Sequence, residues 1–188
     1  MLLPATRFQM CARPRPWYFA YNDGFCRLSP LFLGASRLPA DSSQSLFVIE
    51  RSTNANVIHY DAKIGNDGAL DSKEPVVVYW VMAAEDGRRE KLTGLERKHA
   101  YGFIIERDKS DQSYWMTLVS QKRRPIHIYK DGDKVRAVTL IAEHQAFLRK
   151  IYVKTRKVGL LRTAEYFELF GSDVATGEDC YEKVAPRS

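Results

Sequence analysis

The chain holds three cysteines in 188 residues, and none lies between Cys26 and Cys180. An odd, scattered set closes no disulfide framework, and the C-x-x-C and Cys–His spacings that mark structural zinc are absent. The four histidines, His59, His99, His127 and His144, fall one per segment with neither H-x-H nor H-x-x-x-H spacing. No metal is therefore expected. No apolar run reaches the roughly 18 residues that cross a bilayer as a helix, so no membrane span is predicted. Phosphate-cradling glycine loops and the G-x-S-x-G nucleophile turn are also missing, which removes the best-marked nucleotide and hydrolase signatures. No cofactor is indicated.

Acidic residues are scarce in one place. Residues 1–43 carry Arg7, Arg13, Arg15, Arg27 and Arg37 against only Asp23 and Asp41, with no lysine and five of the eight prolines. Such a stretch resists regular structure and reads as an upstream extension or a targeting leader. Its excess accounts for half of the net charge of +6. The remainder is too weak and too dispersed for a phosphate-binding footprint, which argues against nucleic acid. "KRR" at 122–124 and "RKIYVKTRK" at 149–157 read instead as charged strand faces that resist sticking to other sheets.

What is present is strand signal at short, regular spacing. Leu46–Ser52 and Asn56–Asp61 open the series, followed by "GNDG" turn chemistry at 65–68. Val76–Met82, "VVVYWVM", is a continuous apolar run rich in β-branched and aromatic residues, the mark of a central strand. Further strands are predicted at Tyr101–Arg107, Tyr114–Ser120, Ile126–Lys130, Lys134–Ala142, Gln145–Lys154 and Arg162–Phe170, with "DGD" at 131–133 as a hairpin turn. One interruption is expected, where Thr93 and Glu96 have capping-box spacing before a short helix that Gly94 weakens by about 1 kcal/mol. Turns this short force neighbouring strands antiparallel. The predicted fold is all-β: about eight antiparallel strands in a sandwich or an up-and-down barrel, with one short helix. The predicted organisation is a leader at 1–43, a single β domain at 44–172 and a loosely held tail at 173–188.

The blocks "FVIERSTNANVIHYDA", "KEPVVVYWVMAAEDGRREKLTGLERKHAYGF", "FLRKIYVKTRKVGLL" and "YFELFGSD" together resemble a bacterial family of unknown activity, domain-of-unknown-function family 4833. The likeness covers about residues 46–172. It implies an N-terminal export signal and hence an extracytoplasmic home, although this leader lacks the layout of a signal peptide. It implies no catalytic residues.

Two groups of side chains stand out. In the polar knot that follows the first apolar run, Arg51 offers a guanidinium fork for an anion, and Asn54 and Asn56 offer amides. The competing and stronger reading makes Asn54 and Asn56 corner-builders, with Glu50 paired to Arg51 or to a neighbouring strand. The second group is Tyr79, Trp80, Glu96, His99 and Tyr101. Glu96 and His99, three apart, would share a helix face above a barrel mouth. The expected function is a non-catalytic β domain that binds a small, partly apolar or anionic ligand, or a protein partner. The alternatives are a hydrolytic or proton-transfer enzyme using Glu96 and His99 with Arg51, and a surface or assembly module.

Overall fold

The computed structural model describes residues 42–158 and 161–186. The leader expected at 1–43 lies outside them except for Ser42 and Ser43, which open the first strand. The strands are β1 (Ser42–Arg51), β2 (Asn54–Ile64), β3 (Val76–Met82), β4 (Arg88–Lys91), β5 (Phe103–Arg107), β6 (Tyr114–Leu118), β7 (Ile126–Asp131), β8 (Lys134–Ile141), β9 (His144–Val158), β10 (Leu161–Asp173) and β11 (Asp179–Val184). They form one sheet in the order β4-β3-β2-β1-β9-β8-β7-β6-β5, with β10 on the other edge of β9 and β11 beyond it. The sheet curls into a half-barrel.

The strand at the centre is β9, whose 15 residues serve three neighbours. Its start pairs with β8 and its middle with β1, while β10 runs along its opposite edge. The expectation of about eight antiparallel strands in a sandwich or up-and-down barrel is corrected in three ways. The described residues hold eleven strands in a single sheet, and β1 runs parallel to β9, from Val48 beside Lys150 to Arg51 beside Val153. The short-turn argument binds only strands adjacent in the chain, and seven strands separate β1 from β9. The segment expected as a tail carries β11, which pairs with β10. Exposed Asp179, Tyr181 and Lys183 alternate with half-buried Cys180, Glu182 and Val184, so neither face is uniformly apolar and no apolar run announces it.

The inner face of the curl is packed. Phe47, Ile49, Ile58, Tyr60, Met116, Leu118, Ile126, Ile128, Ile141 and Leu169 are all essentially inaccessible. Tyr60 joins the two arms of the sheet. Its ring stacks on Phe47 at 4.5 Å and meets Phe103 of β5 at 6.3 Å. Its hydroxyl donates to the Tyr101 carbonyl at 2.6 Å. Burial, and then the neighbouring Tyr101, push this phenol far above its ordinary pKa, so it stays a donor.

The β8–β9 hairpin closes through Ala142 and Glu143, at φ 50° and 71°. A two-residue turn needs positive φ at both positions, which suits Asn-Gly and strains side-chain-bearing residues. Glu182 of β11 holds the turn in place. Its carboxylate accepts the Ala142 N–H at 2.8 Å and a two-pronged Arg124 guanidinium at 2.8 Å on each oxygen.

Two outcomes follow. Glu143→Gly relieves the turn and should stabilise by about 1 kcal/mol, a Tm rise of roughly 2–4 °C read by differential scanning calorimetry. Tyr60→Phe strands a buried carbonyl and should cost roughly 1–3 kcal/mol in urea unfolding. An unchanged midpoint for Tyr60→Phe would show that the arms are not tied there.

Candidate functional site

The parallel pairing of β1 with β9 decides what stands at the open end of the curl. It sets Arg51, the last residue of β1, beside Val153. The Ser52–Thr53 turn that follows is pinned to β9 by the Ser52 N–H donating to the Val153 carbonyl and the Thr155 N–H donating to Ser52 Oγ, both at 3.1 Å. Arg51 is thus held at a mouth rather than on a free loop. Its guanidinium lies 4.3 Å over the Trp80 indole and 5.8 Å from the Tyr101 ring. One terminal nitrogen donates to the Tyr101 hydroxyl at 3.3 Å and the other to Asn54 Oδ1 at 3.2 Å. Trp80 in turn meets Tyr101 edge-on at 5.5 Å. A guanidinium over an aromatic face is favourable by about 0.5–2 kcal/mol, the more so when water is excluded.

The helical segment that follows β4 supplies the lid of this mouth. It runs through Gly94–Glu96 and then a wider turn, Arg97–Tyr101. Its start is the expected capping box. Glu96 accepts from the Thr93 N–H and hydroxyl at 2.9 Å, and the Glu96 N–H donates back to Thr93 Oγ1 at 3.3 Å. The other Glu96 oxygen accepts from Trp80 Nε1 at 3.2 Å. Burial pushes this carboxyl up, but the Thr93 and Trp80 hydrogen bonds and the Arg51 charge outweigh it and leave the group below the usual range. The segment ends at Gly102, where an added Cβ would lie 1.9 Å from the Arg97 carbonyl oxygen. Only glycine lets the chain drop directly into β5.

Beneath the segment is a cleft of about 240 Å³. Ile49, Leu118, Ile151, Val153 and Phe167 make an apolar floor, each less than one-tenth exposed. Arg51, Thr53, His99, Ser120, Gln121 and Thr155 supply the polar lining. Two of these keep a buried nitrogen with no hydrogen-bond partner: Nε of Arg51 and Nε2 of Gln121.

The residues singled out from the sequence divide cleanly. Arg51, Asn54, Trp80, Glu96 and Tyr101 form one connected network. His99 lines the cleft but is exposed and shares no hydrogen bond with Glu96. Asn56 builds a corner, its amide donating to Met82 Sδ at 3.4 Å and accepting from the Ala83 N–H at 3.1 Å. Glu50 pairs with Lys150 of β9 at 3.2 Å rather than with Arg51. Tyr79 alternates to the other face of β3 from Trp80. There it donates to Asp61 at 2.6 Å and stacks on His59, with burial and Asp61 pushing it up to about 12. Sequence reasoning missed Gln121, Thr155 and the apolar floor, because no local pattern reports which strands meet at the mouth.

As a catalytic set the network is poorly poised. Glu96 is committed as a cap and held in its charged form, so it is a weak base, and His99 has no orienting partner. A second, larger hollow of about 850 Å³ lies across β6, β7 and β8 and holds a serine–histidine contact, Ser113 Oγ to His127 Nε2 at 2.8 Å. Ser113 is only 2% exposed, and its hydroxyl is engaged with the His127 ring. The nearby Asp108, drawn to about 2 by the Ser110 backbone and hydroxyl and the Trp115 indole, is occupied by those donors. Among the described residues no group of histidine, cysteine and carboxylate side chains fits a metal, and no helix is long and apolar enough to cross a membrane.

Fold and mouth together define a single-sheet β half-barrel with one small cleft of mixed polarity at its end. The chain belongs to the family described as Domain of unknown function (DUF4833), whose match runs over residues 47–183, from β1 into β11. No curated protein and no solved structure matches the sequence.

The capping box carries a pH signature. A carboxyl whose pKa is lowered by folding contributes stability above its unfolded value and loses it as pH falls through the folded value. Glu96→Gln should therefore cost about 1–2 kcal/mol at pH 7, with the gap to wild type closing towards pH 3 in urea titrations. A gap of equal size at both pH values would remove Glu96's charge from the account.

Proposed function

We propose that this domain is a non-catalytic binding module that takes a small, partly apolar ligand in the cleft at its mouth. The observation that carries the reading is the pairing of an apolar floor with polar groups left uncommitted above it, in a domain whose interior is otherwise filled. Sites for small molecules combine these features: a largely apolar wall for affinity and a few fixed polar atoms for orientation. The site stands on strands and is backed by a capped helical segment, so little conformational freedom is lost when it is filled.

Size narrows the choice. At 240 Å³ the cleft falls below the roughly 300–1,000 Å³ of sites for drug-sized molecules. Haem and long isoprenoids do not fit. On the order of eight to ten non-hydrogen atoms do, taking about 30 Å³ for each water-sized group.

Trp80, under Arg51, is a built-in reporter. In a Trp17→Phe, Trp115→Phe background, octyl and small aromatic compounds should change its emission saturably. Ala164→Phe, which fills the cleft from β10, should abolish that change while leaving Tm within a few degrees. No response to any compound, or a response untouched by Ala164→Phe, would count against the cleft as the site.

A further inference from the structure

The donors at the mouth specify more than a size. Arg51 is a half-buried cation, and among the described residues it forms no ion pair. Its two terminal nitrogens are partly engaged by Tyr101 and Asn54, both uncharged acceptors. Its Nε is buried and unpartnered. The one acid that senses its charge, Glu96, is occupied by Thr93 and Trp80. A buried donor without a partner costs about 1–3 kcal/mol, and more when it is charged. The second such donor among the cleft-lining side chains, Gln121 Nε2, faces the same deficit.

We infer that the cleft is built for a monocarboxylate with a short apolar body, its two oxygens taken by Arg51 and Gln121 and its tail lying on Ile49, Ile151 and Phe167. The inference rests on the cleft reading above. Two donor side chains suit the two oxygens of a carboxylate, and the guanidinium fork binds such a group more tightly than a neutral carbonyl. Charge favours the same class. One guanidinium balances one negative charge, whereas a phosphate monoester would bring nearly two into a site with a single resident cation and leave the excess desolvated. An alcohol offers one acceptor and no charge. An amine would place a second cation beside Arg51.

The test uses the full chain at pH 7.5 in the Trp17→Phe, Trp115→Phe background. Its four probes share a pentyl tail and have no more than ten non-hydrogen atoms: hexanoate, 1-pentanol, pentylamine and pentyl phosphate. Binding is read by calorimetry and by Trp80 emission. Hexanoate should bind at least tenfold more tightly than pentanol and pentyl phosphate, with pentylamine weakest. Arg51→Lys keeps the charge but loses the fork, and should weaken hexanoate about tenfold or more. Gln121→Leu removes the second donor and should weaken it about fivefold; both should weaken hexanoate by a larger factor than pentanol. Pentanol or pentyl phosphate matching hexanoate overturns the carboxylate assignment while leaving the cleft in place. So does a preference for hexanoate that survives both substitutions. If none of the four binds, the cleft reading falls, and this inference with it.

Discussion

The stacking of Arg51 on Trp80, with the Tyr101 hydroxyl accepting from its guanidinium, is the constraint around which this end of the molecule is arranged. A guanidinium drawn this far out of water needs either a countercharge or polarisable faces and neutral acceptors. The chain supplies the second. Trp80 comes from the apolar third strand, Asn54 from the start of β2, and Tyr101 from the end of the helical segment. Two of the three are then fixed by something else: Trp80 by Glu96, Tyr101 by the hydroxyl of Tyr60 on its carbonyl. The cation organises its surroundings and keeps one hydrogen-bonding direction unspent.

The parallel contact between β1 and β9 makes this arrangement possible. In a simple meander the ends of the sheet would meet edge to edge, and the first hairpin would sit beside the last. Here two antiparallel arms, β1–β4 and β5–β9, join along their inner strands. The end of β1 therefore opens over the middle of β9 and the side of β10, whose Phe167 helps floor the cleft. Long-range pairing of this kind contributes little until both arms exist, so the mouth should be a late feature of folding.

Much of this was legible from the residues, and the pattern of what was not is physical. "VVVYWVM" reads as a central strand covered on both faces because β-branched and aromatic residues fill both. β3 is found there, but it lies next to the edge strand β4 and only its alternate positions are buried. The Thr93–Glu96 spacing reads as a capping box because the geometry is local, and it is one. Arg51, Trp80, Glu96 and Tyr101 were gathered as candidates by residue chemistry and do meet. Hidden were β4, "RREK", and β11, "DCYEKV", edge strands whose polar faces erase the alternation that marks a strand. Hidden too was Gln121, because its place depends on the parallel seam, and pairing between distant strands leaves no trace in either strand alone. Tyr79 illustrates the limit of proximity in sequence: one residue from Trp80, it points to the opposite face.

The central claim is that the Arg51 guanidinium takes a carboxylate in the cleft. The most direct measurement is the ¹⁵N–¹H resonance of the Arg51 Nε–H group, assigned by its loss in Arg51→Lys and followed as hexanoate is added. A saturable downfield proton shift with slowed solvent exchange, absent with pentanol, is the predicted result. A resonance that stays in place while Trp80 emission saturates would contradict the account.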